Sequence, residues 1–535
     1  MPRLPFPLGA LRILTVEFHE RFAFYGTTYI LVVYLTDMLK ATTQTANIVI
    51  NLFYFLSPIS AIIAAILADG ILGKPKVLAF GGAVYTCGIG VVSVSALPVV
   101  WKDFPDEPSK LAYGLFYGGI TMLGMGYGMI KTCSSPLMAE QLPTTGTEAE
   151  RARLIDTLFN WFYWVINFGS LFGIVICPLL RNNVGGPKRS SSSEGEYGTG
   201  FWTAFLLTFC ASFFGLVIYV SGLSSYKSAP IQKGFLTSAV RTVWDRVRCR
   251  SYHRLSEAVY SEPTSGLLPT SGFYDQCDVN ADLDIAMDAS KIFLFLPIFW
   301  LLSNQQSTNY VIQAKYLKRP SFGDLAVPPE INAVVSTITL LMFIPLYDRV
   351  IAPRLTVSSI DKMCIGFVLS AMGAACAGLL QLEIEHRGTI AENGDYHLHA
   401  GMQRVPFYWQ YPLFMVQSMC EVLAGVTAMK LAYLLAPTSM RSVVMSLYLL
   451  SSAAGSALGL VVSPWCKPQD YEFLFFAFSG SMLVATVVFY VLFSKKISEK
   501  ENANKSRVGA EQVPTEFDVQ VGDCSRHSSR WSIVS

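Results

Sequence analysis

Residues 17–26 read EFHERFAFYG and lie inside an apolar run at 11–39. As a helix, the stretch places Glu17, Glu20 and Arg21 on one face, at spacings of three and four residues. A helix over that run measures about 43 Å, with Glu17 about 9 Å along it from Leu11. If it crosses a bilayer, a charge at that depth costs about 2.5–3.5 kcal/mol, so the face must meet protein or water and not lipid. Two acids against one guanidinium leave a surplus carboxylate, a group that can take up and release a proton. The competing reading is a structural ion cluster that holds helices together. Ionisable groups inside a membrane are functional by default, which favours proton handling. His19 points away from that face and is expected as a packed polar side chain.

Other polar groups stand in apolar surroundings. GMGYGMIKTCSSP (124–136) carries Lys131 among alternating glycines, which let helices approach closely. A lysine at that depth needs a partner, and the surplus acid of the first run is the candidate; the alternative is snorkelling to the rim. Asn167 sits in FYWVINFGSL (162–171), and Glu421 lies about a third of the way along another apolar run, where it needs a polar cavity. FWLLSNQQSTNYVIQA (299–314) sets amides and hydroxyls beside Trp300. The first half of the chain thus offers Arg21 and Lys131 as positive groups, and the second half offers Glu421 as a negative one. A cavity charged this way suits a zwitterion with separated amine and carboxylate, such as a short peptide. LADGILGKPK (67–76) adds Asp69 and Lys74 about a tight glycine turn, a candidate latch between helix ends.

The elements that must position these groups follow from composition. Of 535 residues, 52% are hydrophobic and 15% charged, against about 25% charged in ordinary soluble domains. Twelve apolar segments fall near 11–39, 46–68, 76–98, 111–133, 155–180, 202–223, 290–314, 331–347, 359–381, 408–435, 441–464 and 470–493. Most approach the ~20 residues that a spanning helix needs. The chain divides into a first six-helix bundle (1–223), a polar linker (224–288), a second six-helix bundle (289–493) and a polar, Ser-rich tail (494–535) expected to be disordered. The linker's first half is basic, which puts the linker and both termini in the cytoplasm. The short GKPK loop (73–76) agrees with that orientation. KYLKRP (315–320) runs against it, because it falls outside. Two bundles around a central cavity is a transporter arrangement.

Several classes are set aside. A formal net charge of +2, with no basic domain, gives no reason to expect nucleic acid. There is no metal spacing, nucleophile motif or phosphate loop, so no enzyme, metal or cofactor is expected. The eleven cysteines include no CxxC pair and read as small apolar fillers.

Together the motifs resemble the proton-dependent oligopeptide transporter family, a branch of the major facilitator superfamily. EFHERFAFYG is similar to that family's ExxERFxYYG signature and FYWVINFGSL to its FYxxINxGSL signature. GYGMIKTCSS (126–135), the 299–314 run and EVLAGVTAMKLAYLLAPTSMRSV (421–443) resemble its fourth, seventh and tenth helices. The resemblance implies an all-α membrane protein with the major facilitator fold, twelve transmembrane helices in two bundles. It implies proton-coupled symport of di- and tripeptides by alternating access. It assigns Glu17, Glu20, Arg21 and Lys131 to proton coupling, and Arg21 and Lys131 to the peptide carboxylate. Asn167 and Glu421 then meet the amine, Tyr25, Tyr163 and Trp300 line the walls, and Asp69 and Lys74 form a cytoplasmic gate. The expected partners are small peptides, protons and the lipid bilayer, and the expected form is a monomer in the plasma membrane. Phe24 replaces a tyrosine of the signature, Thr28 stands where many members carry a second arginine, and Lys430 stands where animal members have an acid. Nitrate, an amino acid or another organic anion as substrate, or transport without proton coupling, is the alternative on the same fold.

Overall fold

The computed structural model describes residues 6–143, 147–191, 195–228, 290–322, 325–354, 357–391, 394–435 and 441–510. Most of the 224–288 linker, and the tail from 511, lie outside the described residues.

Helices stand at all twelve expected positions. The first span is Leu8–Val33, the second Thr43–Leu67, the third Lys74–Ser95, the fourth Lys110–Glu140, the fifth Glu148–Asn183 and the sixth Phe201–Ser221. The seventh is broken into Leu296–Asn304 and Asn309–Lys315. The eighth is Ala333–Leu346 and the ninth Ser359–Arg387. The tenth joins Tyr411–Cys420 to Thr427–Leu435 through a π-helical segment, Glu421–Val426. The eleventh is Arg441–Val462, and the twelfth, Tyr471–Ala510, runs past 493 into the region assigned to the tail.

Nine of the described helices are long and apolar enough to cross a membrane. The first, fourth and seventh spans fall short of that measure. They are the spans that carry Glu17, Glu20 and Arg21, Lys131, and the 299–314 amides. Their polarity is tolerable because packing against other helices keeps those groups away from hydrocarbon.

The first six spans pack among themselves: third on fourth, first on fifth and sixth, second on fourth. The last six do the same, led by ninth on twelfth and eleventh on seventh. Glycine allows the close crossings. A Cβ at Gly128 of the fourth span would overlap the Ser57 backbone oxygen of the second, and one at Gly126 would overlap the backbone of Tyr85 on the third. The two bundles meet along two seams, second span against eleventh and fifth against eighth.

The base of the molecule is the end where the first span begins; the far end lies opposite. Three short antiparallel hairpins, Lys188–Ser191 with Gly195–Gly198, Ser321–Phe322 with Leu325–Ala326, and Gly388–Ile390 with Tyr396–Leu398, join spans at the far end. No disulfide is formed among the described cysteines.

Candidate functional site between the bundles

The first span is buried along most of its length, which is why it can hold charge. Glu17 is fully buried, and Glu20 and Arg21 are each 3% exposed. Arg21 grips the acid beside it: Nε donates to Glu20 Oε2 at 2.5 Å and Nη2 to Oε1 at 2.6 Å. The guanidinium also donates to the Tyr127 hydroxyl at 3.4 Å and lies 5.1 Å from the ring centres of Phe24 and Tyr127. Phe24, the departure from the tyrosine pair, stacks on Tyr127 at 4.2 Å. The hydroxyl is lost, but the ring still walls the arginine.

Glu17 is the surplus acid. Neither of its oxygens has a hydrogen bond, and Lys131 Nζ stands 3.7 Å from Oε2. Lys131 is the more open of the two, with 31% of its side chain exposed. The structure thus holds two ion pairs of unequal tightness side by side, one bidentate and sealed, one long and half-open. Bidentate arginine–carboxylate pairs are the strong kind, whereas a lysine ammonium is a compact point charge on a flexible stem. His19 turns away, as expected: its ring packs beside Phe214 of the sixth span and Nδ1 lies 2.7 Å from the Thr15 carbonyl.

The other candidates are spread around the seam. Tyr25 lies beside Arg21, whose guanidinium carbon is 5.9 Å from its ring centre. Asn167 is buried, and its amide donates to the Tyr163 carbonyl at 2.8 Å, within its own helix. Trp300 donates to Ser451 Oγ at 3.2 Å, which fixes the indole between the seventh and eleventh spans. Glu421 is the first residue of the π-helical segment, a feature frequent at functional sites. Among the described residues it has no ion pair and no hydrogen bond. Tyr54, which sequence reading passed over, donates to Ser307 at 3.2 Å across the seam.

Lys74 forms an ion pair with Glu140 at the end of the fourth span. Glu140 was not singled out from sequence. The Asp69 side chain lies outside the described residues.

Two further pairs that the sequence reading missed close the far end. Arg181 of the fifth span donates through Nη2 to both Glu330 oxygens, at 2.7 and 2.9 Å, with both side chains at most 1% exposed. Asp37, beyond the first span, pairs with Lys315 of the seventh, and Thr36 accepts from the same ammonium at 3.0 Å. Both join the two bundles. They account for one of the three cations of KYLKRP: Lys315 is a buried partner of Asp37 and not a loop charge. Asn47 of the second span adds a neutral link, donating to Asn309 Oδ1 at 2.8 Å, and Tyr471 donates to the same oxygen at 2.9 Å.

Two six-helix bundles with charged groups buried at their seam define a membrane transporter of the major facilitator type. A family model described as the POT family matches residues 75–473. The chain belongs to that family. It is 25% identical to peptide transporter PTR2 of Saccharomyces cerevisiae over 96% of this chain and 83% of that one. It is 28% identical to human solute carrier family 15 member 1, over 73% and 54%. The crystal structure of the POT family transporter PepTSo superposes with a TM-score of 0.68 at 19% identity, covering 93% of this chain and 99% of that one.

Proposed function

We propose that the protein carries di- and tripeptides together with protons across a membrane by alternating access. The observation that carries this reading is the unequal pair of ion pairs. A proton on Glu17 removes the charge that holds Lys131, and the ammonium is then available to a peptide carboxylate. Loss of that proton draws Lys131 back and releases the carboxylate. Cargo and proton are thereby coupled through one lysine, while Arg21, held by Glu20, supplies a fixed positive field. Glu421, which has no cation partner among the described residues, takes the peptide amine. Asn167 assists at that end, and Tyr25, Tyr163 and Trp300 form the walls. Relatives named peptide transporters in yeast support the substrate class.

Alternation follows from the far-end links. The conformation described is closed there by Arg181–Glu330 and Asp37–Lys315. Opening must break both, and the complementary state must supply contacts of similar worth at the base. Lys74 and Asp69 belong to that base, as a gate. The basic first half of the linker places the base in the cytoplasm, with both termini, and the protein works as a monomer in the plasma membrane. The test is uptake of a labelled dipeptide by proteoliposomes under an imposed proton gradient. Accumulation that collapses with a protonophore supports the reading, and accumulation indifferent to the gradient contradicts it.

A further inference from the structure

The tenth span widens where it carries Glu421, and the eleventh span holds on to the wide turn. The π-helical segment Glu421–Val426 lies between two α-helical pieces, Tyr411–Cys420 and Thr427–Leu435. A π-turn holds one more residue than an α-turn, because its hydrogen bonds close at i→i+5. Tightening it would swing Glu421 by roughly 100° relative to the rest of the span, the step of one helical residue. The direction of the carboxylate therefore depends on what keeps the turn wide.

Three neighbouring spans box the turn. Tyr448 of the eleventh donates its hydroxyl to the Gly425 carbonyl at 3.2 Å. A carbonyl oxygen has two acceptor positions, so it can take this hydroxyl beside an amide of its own span. Gly366 of the ninth lies so close that a Cβ there would stand 2.7 Å from the Ala424 Cβ and 2.8 Å from the Ala424 backbone nitrogen. The Phe299 ring of the seventh comes within 3.7 Å of where a Gly425 Cβ would be. Of these three contacts, the Tyr448 hydrogen bond is the directional one.

The same part of the eleventh span also reaches Trp300. Ser451 donates to the Tyr448 backbone carbonyl at 2.6 Å and accepts from the Trp300 indole at 3.2 Å. The Tyr448 and Trp300 rings meet edge to face, with centres 6.4 Å apart. Tyr448 and Ser451 are both buried. One turn of the eleventh span thus touches the segment that carries Glu421 and the indole expected in the wall.

We propose that Tyr448 is a positioning residue for the amine end of the site, and that its hydroxyl sets the preference for free-amine peptides by fixing the direction of Glu421. The inference rests on the assignment of the peptide amine to Glu421 above. With the turn held wide, the carboxylate keeps one place relative to Trp300 and meets an ammonium there. With the hydrogen bond gone the turn relaxes, and the carboxylate samples directions that miss the ammonium. A peptide whose amine is blocked draws nothing from that direction and is indifferent to its loss.

Tyr448→Phe tests this by removing the hydroxyl while keeping the ring against Trp300. Gly366→Ala presses on the same turn from the ninth span and leaves Tyr448 intact. Both full-length variants are compared in proteoliposomes with wild type and Glu421→Gln. A free-amine dipeptide and its N-acetylated counterpart compete against counterflow uptake of a labelled dipeptide. For Tyr448→Phe the preference for the free amine should fall by roughly two- to tenfold, the worth of one neutral hydrogen bond. The loss should lie in KM, with the maximum rate within about twofold of wild type. Gly366→Ala should move the same ratio in the same direction. Added to Glu421→Gln, Tyr448→Phe should change the ratio no further. An unchanged ratio in folded Tyr448→Phe overturns the proposal, as does an equal loss with both peptides or a further loss on top of Glu421→Gln. If Tyr448→Phe does not fold, Gly366→Ala, alone and combined with Glu421→Gln, decides by the same criteria. A Glu421→Gln variant that keeps the wild-type preference contradicts the amine assignment itself. A Glu421→Gln variant that loses the preference while Tyr448→Phe keeps it removes only the positioning role.

Discussion

Lys131 Nζ stands 3.7 Å from a Glu17 carboxylate that accepts no hydrogen bond, while one turn further along the first span Glu20 is gripped twice by Arg21. A pair this long in a buried place is poorly compensated. Removing a charge from water costs several kcal/mol per ion, repaid only by good geometry. The Glu17–Lys131 pair is therefore the one that protonation or a competing carboxylate can open.

Lys131→Ala is expected to reduce proton-driven uptake to near background, because neither the carboxylate nor the proton then has its shared partner. Initial rates across a range of external pH check this. Normal uptake at every pH would remove Lys131 from the mechanism.

Glu20→Gln keeps the shape of the Arg21 partner but no longer titrates. Accumulation against a gradient should fail while counterflow exchange persists. Unchanged accumulation counts against a coupling role for Glu20.

For Glu421→Gln, peptides with a free amine should lose affinity roughly ten- to hundredfold, the worth of one charged hydrogen bond at about 1.5–3 kcal/mol. Amine-blocked peptides should lose far less. Competition binding with both kinds decides, and equal losses reject the amine assignment.

Arg181→Ala leaves Glu330 buried and unpaired, which costs the far-end-closed state about 3–5 kcal/mol. Spin-label distances across the seam between the fifth and eighth spans should lengthen. For the second pair, Asp37→Lys and Lys315→Asp should each open the far end, and the double exchange should close it again. A double variant no better than either single one would mean that the two residues do not act as a pair.

Much of the architecture was legible in residue spacing. Apolar runs of near-spanning length marked the helices; of those that carry polar groups, the first, fourth and seventh fall short as simple membrane helices, while the tenth, with Glu421, does not. The 17–21 cluster and Lys131 were also legible as groups needing each other, because charge inside an apolar run demands a local partner. Which acid would take which cation was not. Spacing favours pairs three or four residues apart, yet Arg21 bonds its immediate neighbour Glu20 and leaves Glu17 to another helix. The far-end pairs were illegible for a different reason. Asp37 and Lys315, or Arg181 and Glu330, are brought together by tertiary packing, and no periodicity links residues so distant in sequence. Lys315 was instead counted as a loop charge. The break in the seventh span at Thr308, with φ −124° and ψ −98°, carried no proline or glycine to announce it.

The most direct measurement is dipeptide accumulation by proteoliposomes under an imposed proton gradient, compared between wild type and Glu17→Gln. The account predicts that wild type concentrates the dipeptide and loses it on addition of a protonophore. Glu17→Gln, with Lys131 permanently released, should bind and exchange the dipeptide but never concentrate it. Concentration by Glu17→Gln to the wild-type level, still abolished by the protonophore, would show that the proton does not act through the Glu17–Lys131 pair.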